Sequence, residues 1–198
     1  MTPLRTLLLA LVVLMLSACV ALTKVGPGPV TVKDMSFTLD GPWNRFESGM
    51  LVLFQAPGAS EIWTREGFSL DVLAFYAGVA DGESLGQALP RSQTKLPPFK
   101  STMAPHEIVE LFETLVTQDA SMFKLGKLEP IAFGGGDGFR FEYTLRRKED
   151  SLVFNGVGYG SVAGKRLYLM TFSAPRAHYF GKLLPDVEAV ARSARVKR

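Results

Sequence analysis

Cysteine and histidine are nearly missing from this 198-residue sequence: it has one of the first and two of the second. A single thiol excludes an intramolecular disulfide framework and any zinc site built from several thiolates. Two imidazoles leave little for a histidine-rich metal site. A strong charge of one sign is missing too. Twenty-two Lys+Arg against 19 Asp+Glu give +3, too mild a balance for a nucleic-acid binder, and no nucleic-acid partner is expected. The 19 glycines and 12 prolines follow no fixed period and no internal repeat is visible, which removes collagen-like and solenoid architectures. What remains is 47% hydrophobic and 21% charged, the composition of a globular chain rather than a disordered one.

The N-terminus carries the most specific signal. Met1 to Thr6 holds one positive charge, Arg5, and an unbroken apolar run from Leu7 to Leu16 ends in Ser17, Ala18 and Cys19. A basic start, an apolar run of about ten residues and small residues at its end form a secretory signal peptide. The run falls short of the roughly 20 residues that span a bilayer. Leu16-Ser17-Ala18-Cys19 resembles the lipobox of bacterial lipoproteins, and the only cysteine of the chain falls in it. The resemblance implies a diacylglycerol on the Cys19 thiol, cleavage after Ala18 and acylation of the new amino group. Two or more acyl chains give stable anchoring where one gives only reversible binding. The expected partner is therefore a membrane of the bacterial envelope, reached through the lipid, with the domain facing the periplasm. Val20 in place of Asp after the cysteine favours the outer membrane over the inner. Two other readings stand beside this one. The cysteine is incidental to an ordinary signal peptide cut a few residues later, or Val20, Ala21 and Leu22 extend the run into an uncleaved anchor.

The division expected is residues 1–18 as signal peptide, 19–29 as lipidated cysteine and Gly/Pro tether, and 30–198 as one α+β domain. The tether reading rests on Thr23 to Val30, where Gly and Pro alternate and leave no room for a helix or strand ladder. Removing residues 1–18 takes away only Arg5, so the mature balance is 21 against 19, or +2. Some 169 residues then suffice for one domain with a real core.

Strand signals dominate that domain. Val30-Thr31-Val32 and Met35 to Leu39 alternate apolar and polar, then stop at Asp40-Gly41-Pro42. Met50 to Phe54 is a compact apolar run, and Glu61 to Arg65 and Phe68 to Tyr76 flank Glu66-Gly67 as a hairpin. The clearest half-buried strand holds Phe139, Phe141, Tyr143 and Leu145 in alternation with Arg140, Glu142 and Thr144. With Leu152 to Ser161 and Leu167 to Phe172 it predicts an antiparallel meander. Pro105 suits a first helical position. Behind it Ile108, Leu111, Phe112 and Leu115 make one apolar stripe, predicting a helix to about Asp119. A second helix is expected to open at Pro185, with Val187, Val190 and Ala191 as its stripe and His178 to Leu184 as an earlier turn.

The order strands, helix, meander, helix predicts an α+β fold, an antiparallel sheet with helices packed on its faces. From Met35 to Arg198 this order resembles the PsbP-like α/β/α sandwich, found in a photosystem II extrinsic protein, a nuclear-transport factor and many small bacterial proteins. The run Leu167 to Pro175 followed by a helix looks like the end of such domains, and the chain is similar to uncharacterised proteobacterial lipoproteins. These resemblances carry no functional residues.

No catalytic, cofactor-binding or metal site is expected, and no cofactor. Phe133-Gly134-Gly135-Gly136-Asp137-Gly138-Phe139 lacks the Lys-Ser/Thr and following helix of a phosphate loop and reads as a turn feeding a strand. His106 and His178 read as surface or capping residues. No serine sits in a Gly-x-Ser-x-Gly elbow, which Gly158-Tyr159-Gly160-Ser161 matches in composition only. Asp71, Asp81 and Glu83 lack calcium-loop spacing and read as solvated loop acids. Trp43, Arg45, Phe46 and Trp63 either line an apolar groove or fill the core, and core is the plainer reading. Arg192, Arg195, Lys197 and Arg198 make a basic tail, solvated or touching anionic head groups. The function expected is a non-catalytic binding or assembly module at the envelope. The alternatives are a lipid-anchored hydrolase with an unrecognised site and a carrier of an apolar ligand.

Overall fold

Among the described residues, seven antiparallel pairings join eight strands into one sheet covered by two helices. The computed structural model describes residues 22–46, 58–67, 69–89 and 94–197. The strands are β1 (Leu22–Val25), β2 (Gly28–Val32), β3 (Met35–Leu39), β4 (Trp43–Phe46), β5 (Glu61–Thr64), β6 (Val72–Ala80), β7 (Met122–Phe133), β8 (Gly136–Arg146), β9 (Val153–Ala163), β10 (Arg166–Pro175) and β11 (Arg195–Val196). The helices are α1 (Pro105–Val116) and α2 (Tyr179–Ser193). The large sheet runs β1-β4-β5-β6-β10-β9-β8-β7, and β11-β3-β2 form a smaller one.

Period-two alternation splits the core in two. On β8, Phe139, Phe141 and Tyr143 face the α1 side and meet Ile108, Leu111, Phe112 and Leu115 there. On β10 the same logic sends Leu167 and Leu169 to the α1 side and Tyr168, Met170 and Phe172 to the α2 side. That second core takes Leu183, Val187 and Val190 of α2, and Met35, Phe37 and Leu39 of the smaller sheet. The α+β sandwich and the shared core of the β8 aromatics with α1 are thus as the sequence predicts.

The meander is held by an unusual trade of volume. Phe139, Phe141 and Tyr143 sit directly opposite Gly160, Gly158 and Gly156 of β9. A Cβ on those glycines would lie 2.4, 2.1 and 2.1 Å from the opposing ring. The three rings lie over the stretch of β9 from Gly156 to Gly160, which has no side chains on that face, and successive rings stack 6.3 and 5.8 Å apart. Phe112 of α1 closes over them edge-on, 5.7 Å from Phe141. The glycine-rich β9 sequence is therefore a surface shaped for rings.

Elsewhere the chain departs from expectation. Residues 23–30 are not a free tether: Leu22–Val25 pairs with β4, Gly28–Val32 pairs with β3, and only Gly26 and Pro27 lie between. Two short strands flanking Gly-Pro look like a linker in sequence. β7 has no counterpart in the sequence reading, and α1 ends three residues early. Asp119 accepts a hydrogen bond from the Ser121 N–H at 2.8 Å, turning the chain into β7. Helix α2 includes the expected earlier turn, starting at Tyr179, but Pro185 lies inside it rather than opening it. The carbonyl of Gly181 loses its partner there, but Gly181 is exposed to solvent. Phe180 stacking on Phe172 at 5.8 Å holds the first turn down. The expected run Met50 to Phe54 lies outside the described residues.

Candidate functional site

β8 has a second face, and it is polar. Arg140, Glu142, Thr144 and Arg146 point to the α2 side, but α2 covers mainly β10 and β3. The outer part of that face is left open as a groove of about 600 Å³. Strand register orders it. Met122 of β7 lies opposite Arg146 of β8, and Arg146 opposite Val153 of β9. The Arg176 N–H donates to the Val153 carbonyl at 3.1 Å. One row across the sheet thus carries Met122, Arg146, Val153 and Arg176. The next carries Lys124, Thr144 and Asn155. Phe180, from the first turn of α2, is the apolar wall.

Lys124, Arg146 and Arg176 are all exposed, and no carboxylate pairs with any of them among the described residues. The groove's own acid, Glu142, is already committed to Arg140 at 2.6 Å. Arg140 also reaches Glu129 at 3.4 Å and Glu188 of α2 at 3.6 Å. Burial is the largest single influence on Arg140 and opposes its charge, but the hydrogen bonds and charges of Glu142 and Tyr159 together outweigh it and hold the guanidinium up. The groove therefore presents three uncompensated cations over a half-apolar floor. Asn155 Oδ1 in that floor has no hydrogen-bond partner, and Met122 is 68% exposed.

The residues singled out in the sequence are dispersed. Cys19 and Arg198 lie outside the described residues. His106 and His178 are both exposed and belong to elements on opposite faces of the sheet. Asp71 is not a solvated acid but fully buried. It accepts hydrogen bonds from Thr64 Oγ1 at 2.8 Å and from the N–H groups of Arg65 and Glu66 at 2.7 Å each. Burial pushes its carboxyl above the usual range, against the pull of those donors. Asp81 accepts from the Ser101 N–H, which lowers its pKa, and Glu83 accepts from the Ala80 N–H at 2.9 Å. Both are local loop staples. Trp43, Phe46 and Trp63 are core, and Arg45 approaches Glu61 at 3.9 Å. Gly134 and Gly135, at φ +67° and +85°, form the two-residue turn between β7 and β8.

The basic tail is no free tail. Arg195 lies in β11, paired with Ser36 of β3, and the Lys197 N–H donates to the Asp34 carbonyl at 2.9 Å. Arg192 stands 3.8 Å from Glu188. Among the described residues no three His, Cys, Asp or Glu side chains gather as a metal site, and no helix is long and apolar enough to cross a membrane. Sequence reasoning missed Lys124 and Arg176 altogether. The one available signal was the alternation in β8, which sets Arg146 on the face opposite the rings.

No protein-family model matches the sequence, and no relative was found among curated proteins. Solved structures do match. The solution structure of cyanobacterial PsbP (CyanoP) from Synechocystis superposes with a TM-score of 0.53 at 12% identity, covering 91% of this chain and 95% of that one. A crystal structure from Bacteroides thetaiotaomicron gives 0.46 at 11% identity over 87% of this chain, which spans 49% of that protein. With two helices on the two faces of an antiparallel sheet and a full-length match to CyanoP, the chain has a PsbP-like α+β fold.

Proposed function

We propose that this protein is a non-catalytic binding module, anchored to a membrane of the bacterial envelope through lipid on Cys19, that engages its ligand in the groove beside α2. One observation carries the binding role: three cations without partners surround a half-apolar floor. Unpaired charge gathered around open apolar surface is what recognition of another molecule requires. The anchor is supported by the lipobox-like tetrad and by the apolar run before it.

Mass spectrometry of the mature N-terminus tests the anchor. A chain starting at Cys19 and heavier by a diacylglyceryl group and a further acyl chain is expected. An unmodified Cys19, or a start downstream of it, ends that half of the proposal. Complementation of a deletion strain with Arg146→Glu/Arg176→Glu tests the groove. Loss of function with an unchanged melting temperature is expected, and full function refutes a role for the groove.

A further inference from the structure

The position of the groove in the sheet bears on what fills it. Leu22 opens β1 only three residues after Cys19, a reach of about 10 Å. β1 is one edge of the eight-stranded sheet and β7 the other. Arg146 on β8 is six strand steps from β1, about 29 Å at the usual strand spacing. On the anchored reading proposed above, β1 is the edge held near the lipid, and the groove opens at the far edge. Charge on the membrane surface is felt over about one Debye length, roughly 8 Å. The groove cations stand well beyond that distance from the anchored edge.

The chemistry of the walls narrows the occupant further. Lys124, Arg146 and Arg176 call for anions. Met122 and Phe180 call for apolar contact without enclosing a chain. Asn155 Oδ1 has no partner, and a rotation of its amide would offer it to an N–H donor. A carboxylate or phosphate brings no such donor, whereas a peptide main chain does. From β7 to β10 the groove crosses three strand steps, about 14 Å, the length of roughly four to five extended residues. Alternate side chains of an extended peptide stand about 7 Å apart on one face, within reach of long Lys and Arg side chains on neighbouring strands.

We infer that the groove binds an extended acidic peptide segment of a partner protein, with carboxylates on Lys124, Arg146 and Arg176 and an apolar residue against Met122 and Phe180. This deepens the binding role proposed above and depends on it.

The test uses mature, lipid-bearing protein in phosphatidylcholine nanodiscs. The probe is a fluorescent peptide alternating glutamate with leucine, read by anisotropy, beside a twin with glutamine for glutamate. The glutamate peptide should bind with an affinity that falls as salt rises. The glutamine twin, and the variant Arg146→Gln/Arg176→Gln against the glutamate peptide, should each bind at least about tenfold more weakly. Arg146→Glu/Arg176→Glu should instead prefer a lysine–leucine peptide. These side chains are exposed, so the variants should melt as the wild type does. Equal binding of the two peptides, or glutamate binding that ignores the variants, overturns the inference. So does displacement of the peptide by dihexanoyl phosphatidylglycerol at matched charge, which would assign the cations to lipid. If the charge-reversed variant fails in complementation yet the glutamate peptide does not bind, the binding module stands and only its ligand class falls.

Discussion

Gly158→Ala should destabilise the protein by more than a single methyl group suggests. The new Cβ would lie 2.1 Å from Cε1 and 2.2 Å from Cζ of Phe141. Carbon atoms in ordinary contact sit at about 3.5–4.0 Å, so the ring must rise by roughly 1.5 Å. It has nowhere to go. Phe141 is fully buried, Phe139 and Tyr143 flank it, and Phe112 lies above it at 5.7 Å. Overpacking of this kind costs about 1–3 kcal/mol, and the site belongs at the upper end. Replacing a strand glycine by alanine returns roughly 0.5–1 kcal/mol of backbone entropy. The net loss is about 2 kcal/mol, a fall in Tm of some 4–8 °C for a protein of this size, readable by circular dichroism. A double-mutant cycle isolates the cause. Phe141→Ala alone should cost about 3–5 kcal/mol. Combined with Gly158→Ala it should cost less than the sum of the two, because the methyl then occupies space the ring has left. A Gly158→Ala protein melting at or above the wild type, or strict additivity in the cycle, would refute the reasoning.

Three further outcomes are expected. Asp71→Asn keeps the volume but offers one acceptor oxygen to three donors, and should cost about 2 kcal/mol in urea unfolding. Because burial raises the folded pKa of Asp71, wild-type stability from this group is fully present below its unfolded pKa and is lost as pH rises through the folded one. The penalty of the substitution should therefore be largest in acid and shrink towards neutral pH, and a penalty that grows with pH would contradict it. Cys19→Ser should leave the thioether unmade, so that immunoblots of fractionated cells show persistent precursor or protein released by another protease, not mature membrane-bound protein. His106→Ala/His178→Ala should complement a deletion strain fully, and loss of function with normal folding would bring back the hydrolase reading.

Where one face of an element meets one partner, sequence was enough. The α1 stripe and the Phe139 to Leu145 alternation each repeat at a fixed period, and the two meet in one core. β7 escaped for a definable reason. A bulge between Leu125 and Leu128 adds one residue against β8, so its inward positions change parity midway and no alternation survives. Lys124, Lys127 and Pro130 make it more polar still, as suits an edge that must not pair with a second sheet. β1 was hidden because it is four residues long beside Gly26 and Pro27. Asp71 looked like any loop acid, since nothing local says that Thr64, Arg65 and Glu66 will wrap around it. The groove was half legible. Arg146 follows from the alternation of β8, whereas Lys124 and Arg176 join it only through the register of four strands, which no local pattern contains.

The rings on one face and the groove on the other share an origin. A strand read as aromatic, charged, aromatic, charged can be covered on one face only without burying unpaired charge, which is costly. In β8 the aromatic face is covered by α1 and sits on the bare β9 glycines. The charged face cannot be covered by an apolar helix, so α2 packs further in, over β10 and β3, where Tyr168, Met170 and Phe172 receive it. Arg140 is the boundary. It reaches Glu188 of α2 on one side and Glu142 on the other, and beyond it toward Arg146 the face is open. A more apolar β8 would let the helix slide outward and close the groove. The alternation that stabilises the outer sheet on one side is thus also what keeps three cations uncovered on the other.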